Sequence, residues 1–154
     1  MLTEIKTIPA KHYLAARRNL TLPEVQDFTN STLQGLYAEA ERFQVPITGP
    51  CEFIYFGCTG HPELPFDLLI SLPIEKQEFE TDAFDYFTLP ETICICTDFI
   101  GKAESLREGW TWLVEEMERQ SITPHPENQA REIYKQWISF DSDMNITELQ
   151  VKIG

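Results

Sequence analysis

The sequence predicts an α+β domain: a tandem βαββ repeat with pseudo-twofold symmetry, whose antiparallel sheet carries two main helices on one face. Three observations carry that expectation. The 154 residues suit one domain with a sizeable core. Two stretches have helical apolar periodicity, and each is followed by two runs of strand composition. Short echoes fall at matching points of two halves, about 1–78 and 79–154: Thr7-Ile8-Pro9 with Thr88-Leu89-Pro90, Glu41-Arg42 with Glu118-Arg119, and Phe53-Ile54-Tyr55 with Glu132-Ile133-Tyr134.

Tyr13-Leu14-Ala15-Ala16, between the Ile8-Pro9 turn and the polar Arg17-Arg18-Asn19, is the first strand. Thr21-Leu22-Pro23-Glu24 starts the first helix, because the Thr and Glu satisfy free N–H groups of the first turn and Pro lacks one. Val25, Phe28, Thr32, Leu36, Ala40 and Phe43 then give it one apolar face, which ends before Pro46. Residues 51–57 and 66–74 read as strands separated by the turn-prone Gly60-His61-Pro62. The second half repeats the order with a strand at 92–99, a helix at 104–120 and strands at 130–137 and 148–153.

A hydrophobic content of 42%, with 12% aromatic residues, excludes a disordered chain. The net charge of -13 opposes binding to phosphate backbones, so nucleic acid is not an expected partner. An acidic surface serves solubility, or attracts cationic ligands or a basic protein partner. The N-terminus has no secretory pattern and no apolar run is long enough to span a bilayer, which predicts a cytoplasmic protein with no membrane partner. Cys51, Cys58, Cys94 and Cys96 lack CxxC spacing and read as buried, reduced thiols. His12, His61 and His125 form no metal motif, and no phosphate loop, dinucleotide fingerprint or nucleophile elbow is present, so neither metal nor cofactor is expected.

Glu132 is the principal candidate for a site. It lies two residues before Tyr134 on a strand, so both share a face, and its repeat counterpart is Phe53. An acid at a position that is aromatic in the sister half implies a carboxylate in apolar surroundings, needing a cation, a hydrogen bond or a proton. The competing reading is a solvated carboxylate beside Arg131. Tyr55 and Tyr134 occupy matching places and, with Phe53, supply aromatic walls suited to flat or cationic organic molecules. Trp112 lies off the Leu106, Trp110, Leu113, Met117 core stripe and either covers the core edge or stacks on a ligand. Tyr37 on the first helix faces either the same groove or the sheet. A one-residue slip in strand phase would put Arg131 and Ile133 in place of Glu132 and Tyr134.

With Ile8-Pro9-Ala10-Lys11, Thr48-Gly49-Pro50 before Phe53-Ile54-Tyr55, Trp110-Thr111-Trp112-Leu113 and Arg131-Glu132-Ile133-Tyr134, nearly the whole chain resembles the gyrase-inhibitor-like (GyrI-like) small-molecule-binding domain, which includes the effector-binding domains of AraC- and MerR-type multidrug regulators. The resemblance implies a ligand groove between the halves and a buried glutamate, here Glu132, that meets cationic lipophilic ligands. Tyr55, Tyr134 and Trp112 are the candidate aromatic walls, Trp112 on helix phase alone. With all 154 residues used by the repeats and no helix-turn-helix segment beside them, the chain is not expected to bind DNA itself. The histidine-glycine element common in the family is replaced by Phe99-Ile100-Gly101.

The function expected is binding of an aromatic or cationic amphiphile by a monomer or weak dimer. The resemblance also implies two alternatives. One is hydrolysis of strained cyclopropane-type electrophiles, with Glu132 as general base and Tyr55 or Tyr134 as proton donor. The other is interaction with a basic protein in the manner of a gyrase inhibitor.

Overall fold

The computed structural model describes residues 1–76 and 80–154. The chain runs β1 (Glu4–Ile8), β2 (Lys11–Leu20), α1 (Val25–Arg42), β3 (Glu52–Phe56), β4 (Phe66–Ile74), β5 (Asp85–Leu89), β6 (Thr92–Ile100), α2 (Leu106–Arg119), β7 (Gln129–Gln136) and β8 (Ile146–Lys152). Each half is therefore ββαββ, one strand more than the sequence pattern predicts. The additional strands β1 and β5 have five residues each and only Ile8 among them is buried, so neither shows the apolar run that marks a strand. The boundary expected at 78/79 lies outside the described residues.

The strands form one antiparallel sheet in the order β1-β6-β8-β7-β3-β4-β2-β5. Exchanging the two halves turns this order into its own reverse, as pseudo-twofold symmetry requires. The first strand of each half crosses to the edge of the other: β1 pairs with β6, Ile5 opposite Ile95, and β5 pairs with β2, Phe87 opposite Tyr13. The halves join through β3 and β7, where Phe53 lies opposite Glu132 and Ile54 opposite Arg131. Phe53 and Glu132 are repeat equivalents as well as cross-strand partners, so the symmetry axis passes between them.

The start of α1 and the ends of both helices have local causes. The Glu24 carboxylate accepts from the Thr21 backbone N–H at 2.9 Å and from its hydroxyl at 2.8 Å, tying down the turn before α1. At the other ends Gln44 and Ser121 adopt left-handed φ values of 53° and 58°, and the Val45 and Ile122 amides donate to the Ala40 and Met117 carbonyls at 2.8 Å. The same closure in both halves extends the repeat from sequence into geometry.

The helices cover one face of the sheet. Phe28, Leu36 and Ala40 of α1 meet Leu14, Phe53, Tyr55, Leu68 and Ile70, while Leu113 and Met117 of α2 meet Ile95, Phe99, Leu149 and Val151. Among the described residues no layer covers the other face, yet Tyr13, Ala15, Glu52, Ile54 and Arg131 are all buried there. The sheet achieves this by curling into a half-barrel, a consequence of strand twist.

Gly109 sets how closely α2 approaches. A Cβ at this position would lie 2.7 Å from Phe99 Cδ1 and 3.0 Å from Leu149 Cδ1. Gly109→Ala should therefore overpack the second core and destabilise the domain by about 1–3 kcal/mol despite alanine's better helix propensity. Thermal unfolding checks this, and an unchanged or higher midpoint would show that Phe99 can rotate away freely.

Candidate functional site

Strand alternation decides which side chains meet. On β7, Glu132 and Tyr134 point to the helix face and Arg131 and Ile133 to the curled face; on β3, Phe53 and Tyr55 join the former and Glu52 and Ile54 the latter. The symmetry axis thus brings Glu132, Phe53, Tyr55 and Tyr134 together beneath the helices.

Glu132 is 5% exposed. Its Oε1 accepts hydrogen bonds from Tyr55 Oη at 2.8 Å and Tyr134 Oη at 2.7 Å, and its Oε2 accepts from Trp110 Nε1 at 2.7 Å. Burial pushes its carboxyl above the usual carboxylate range, and the bonds from Trp110, Tyr134 and Tyr55 only partly oppose that rise. Burial, followed by the nearby Glu132 charge, holds both tyrosine phenols well above their ordinary value, so they remain neutral donors. Among the described residues no basic side chain pairs with the carboxylate.

Aromatic rings complete the enclosure. Phe53 meets Tyr134 edge-on with centroids 4.9 Å apart, Tyr55 tilts against Phe66 at 5.6 Å, and Trp137 meets Tyr134 edge-on at 5.8 Å. Clefts of about 470 and 450 Å³ open elsewhere, beside β1 and β6 and beside β2 and β5, and Glu132 lines neither. The carboxylate is closed over in this conformation.

Two candidates stand outside this cluster. Trp112 packs at the margin of the α2 core and makes no bond to Glu132, while Tyr37 is half-exposed on α1 near Cys51, whose proximity adds to the upward push of burial on its phenol. Trp110, assigned by periodicity to the core stripe, instead combines packing with the bond to Glu132. An indole N–H on a buried stripe needs an acceptor, and that requirement was the available signal.

Directly behind Glu132, on the curled face, lies a second polar cluster. Glu52 accepts from Lys11 Nζ at 2.9 Å and Tyr13 Oη at 2.9 Å, with Arg131 Nη1 4.0 Å away. Arg131 also donates to Gln129 Oε1 at 3.1 and 3.0 Å and to Tyr13 Oη at 3.3 Å. Arg131 therefore belongs to this cluster rather than to Glu132, its neighbour in sequence.

Among the described residues no group of three or more His, Cys, Asp or Glu is disposed to hold a metal ion. Burial pushes the Cys51 and Cys96 thiols up to about 12, leaving little thiolate for nucleophilic chemistry. No described helix is long and apolar enough to cross a membrane.

No protein-family model and no curated protein matches the sequence. Among solved structures, SAV2435 bound to tetraphenylphosphonium superposes with a TM-score of 0.72 at 10% identity, covering 100% of this chain and 94% of that one. The EcmrR C-terminal domain gives 0.74 at 14% identity, covering 99% and 97%. A hydrolase from Listeria innocua gives 0.65 at 11% identity, covering 99% and 91%. The chain has the fold shared by SAV2435 and the EcmrR C-terminal domain, the fold that its resemblance to the GyrI-like small-molecule-binding domain implies.

Proposed function

We propose that this chain binds an organic cation with an aromatic or otherwise apolar body between its two halves, and senses or sequesters it without chemistry. The observation that carries the reading is Glu132: a carboxylate beside the symmetry axis, nearly fully buried and held by three aromatic donors, with no basic partner among the described residues. Burying such a group is costly, and a cation arriving among aromatic faces supplies the missing charge in surroundings whose ring quadrupoles also favour it. The tetraphenylphosphonium seen with SAV2435 is a cation of this kind on the same fold, and it supports the reading.

Access is through Trp110. Its indole is half-buried and is the only one of the three donors to Glu132 that comes from a helix. Displacing it opens the carboxylate while the two strand tyrosines stay in place. A hydrolytic reading has one observation in its favour, a carboxyl with a raised pKa beside two phenols, which is the environment of a general base with proton donors.

Titration with tetraphenylphosphonium and a panel of cationic and neutral aromatic compounds tests the binding reading, by tryptophan fluorescence and thermal shift with product analysis in the same samples. Saturable responses confined to cations, with altered indole emission as Trp110 leaves Glu132, are expected. Turnover to product would replace binding by hydrolysis, and silence towards every compound would overturn both.

A further inference from the structure

Beyond the carboxylate, the segment joining β7 to β8 is apolar where the fold does not require it. Trp137, Ile138, Phe140 and Met144 are 50%, 55%, 46% and 64% exposed. The equivalent connection between β3 and β4 is Gly57-Cys58-Thr59-Gly60-His61-Pro62-Glu63-Leu64-Pro65, with Leu64 its single large exposed apolar side chain. The same turn of the repeat is therefore built from polar and small residues in one half and from large apolar ones in the other.

The segment is held in place rather than loose. Asn145, 1% exposed, accepts the Ile138 N–H at 2.8 Å and donates to the Ser139 carbonyl at 2.7 Å. Gln136 Nε2 donates to the Met144 carbonyl at 2.7 Å, and the Ala103 N–H, in the turn before α2, donates to the Phe140 carbonyl at 3.2 Å. A preformed display of exposed apolar side chains adds nothing to folding but lowers the ordering cost of binding.

Its position names the occupant. Trp137 packs edge-on against Tyr134 at 5.8 Å, and Tyr134 Oη donates to Glu132 at 2.7 Å, so the apolar segment continues the wall of the carboxylate site. Four half-exposed side chains offer on the order of a few hundred Å², well short of the roughly 800 Å² per partner of a stable dimer. That area suits the apolar part of a small molecule.

We propose that residues 137–144 form a rim subsite that takes the apolar tail of an elongated amphiphile whose cationic head lies at Glu132. The inference rests on the cation-binding reading and extends it from a head-group site to a ligand class defined by length, with Ile138 and Phe140 setting the preference for long tails.

The test is isothermal titration calorimetry with n-alkyltrimethylammonium ions from butyl to dodecyl, using the wild type, Ile138→Ser/Phe140→Ser and Glu132→Gln. Affinity for the wild type should rise along the series, by up to about fourfold for each methylene that reaches the rim. In the double variant the dodecyl compound should lose at least about tenfold while the butyl compound binds as before, the loss matching two or more unburied methylenes. A dodecyl gain that persists in the double variant, or an equal loss along the whole series, overturns the rim while leaving the head-group reading intact. Glu132→Gln with unchanged affinity for every member overturns the head-group reading and this one with it. Sedimentation showing a wild-type dimer broken by the double variant, with ligand affinities unaltered, would assign the segment to self-association and also overturn the proposal.

Discussion

Glu52→Leu is expected to destabilise the domain by about 3–5 kcal/mol, because it strands a buried guanidinium. Glu52 is 1% exposed and Arg131 2% exposed, and they lie diagonally across the curled side of the β3–β7 pair that joins the halves, 4.0 Å apart. Without Glu52, Arg131 keeps hydrogen bonds to Gln129 and Tyr13 but no carboxylate. Tyr13 loses its acceptor too; its phenol is held high first by burial and then by Glu52. Since domains of this size are stable by only about 5–15 kcal/mol, a fifth or more of the total is at stake. Urea unfolding measures it, as a lower midpoint at unchanged slope. The double variant Glu52→Leu/Arg131→Leu should recover more than half of the loss, because removing both charges removes the desolvation penalty along with the attraction. Lys11→Ala should cost less than about 1 kcal/mol, since Lys11 reaches Glu52 from a partly exposed position. A loss below about 1 kcal/mol for Glu52→Leu would show that water reaches Arg131, and would remove the ion pair as the link between the halves.

What was legible in the sequence followed from periodicity. The alternation Glu132-Ile133-Tyr134 placed the acid and the tyrosine on one face, and the echo with Phe53-Ile54-Tyr55 anticipated that the two segments are equivalent; their cross-strand register now places them on the axis. The α1 and α2 stripes predicted the buried Phe28, Leu36, Ala40, Leu113 and Met117. Beyond that, periodicity was silent. Strands β1 and β5 exist because an edge of the opposite half is there to pair with, a tertiary cause invisible in their short, largely unburied sequences. Helix phase drew attention to Trp112 as the residue off the stripe. The bond to Glu132 comes instead from Trp110, on the stripe, because a residue facing the sheet is the one that reaches a group on the sheet. The Glu52–Arg131 cluster escaped for a different reason: burial on a sheet face with no covering helix depends on curling, which a strand's own sequence does not reveal.

Glu132→Gln should weaken binding of tetraphenylphosphonium by about a hundredfold near neutral pH, the scale expected when a buried charge pair loses one partner, and should leave neutral aromatic ligands almost unaffected. The amide has nearly the same shape: its oxygen can accept from Trp110 while its NH₂ donates to the two phenol oxygens, so the loss reads charge rather than packing. The pH dependence separates this account from a structural one. Because burial raises the Glu132 carboxyl in the folded state, the fold holds a proton that the unfolded chain releases at lower pH. Its contribution to stability is therefore fullest below the ordinary carboxylate range and is lost as pH rises through the raised folded value. Glu132→Gln abolishes that slope and should be the more stable protein at neutral pH. Cation affinity must run the other way, rising with pH by up to about tenfold per unit below the folded value, because only the carboxylate pairs with the cation and binding expels the proton. Calorimetry in buffers of different ionisation enthalpy detects that proton directly. Stability and affinity of opposite sign against pH, both flattened by one isosteric substitution, are what a buried counter-charge produces. A wild-type affinity independent of pH would mean that the cation is held by the rings alone.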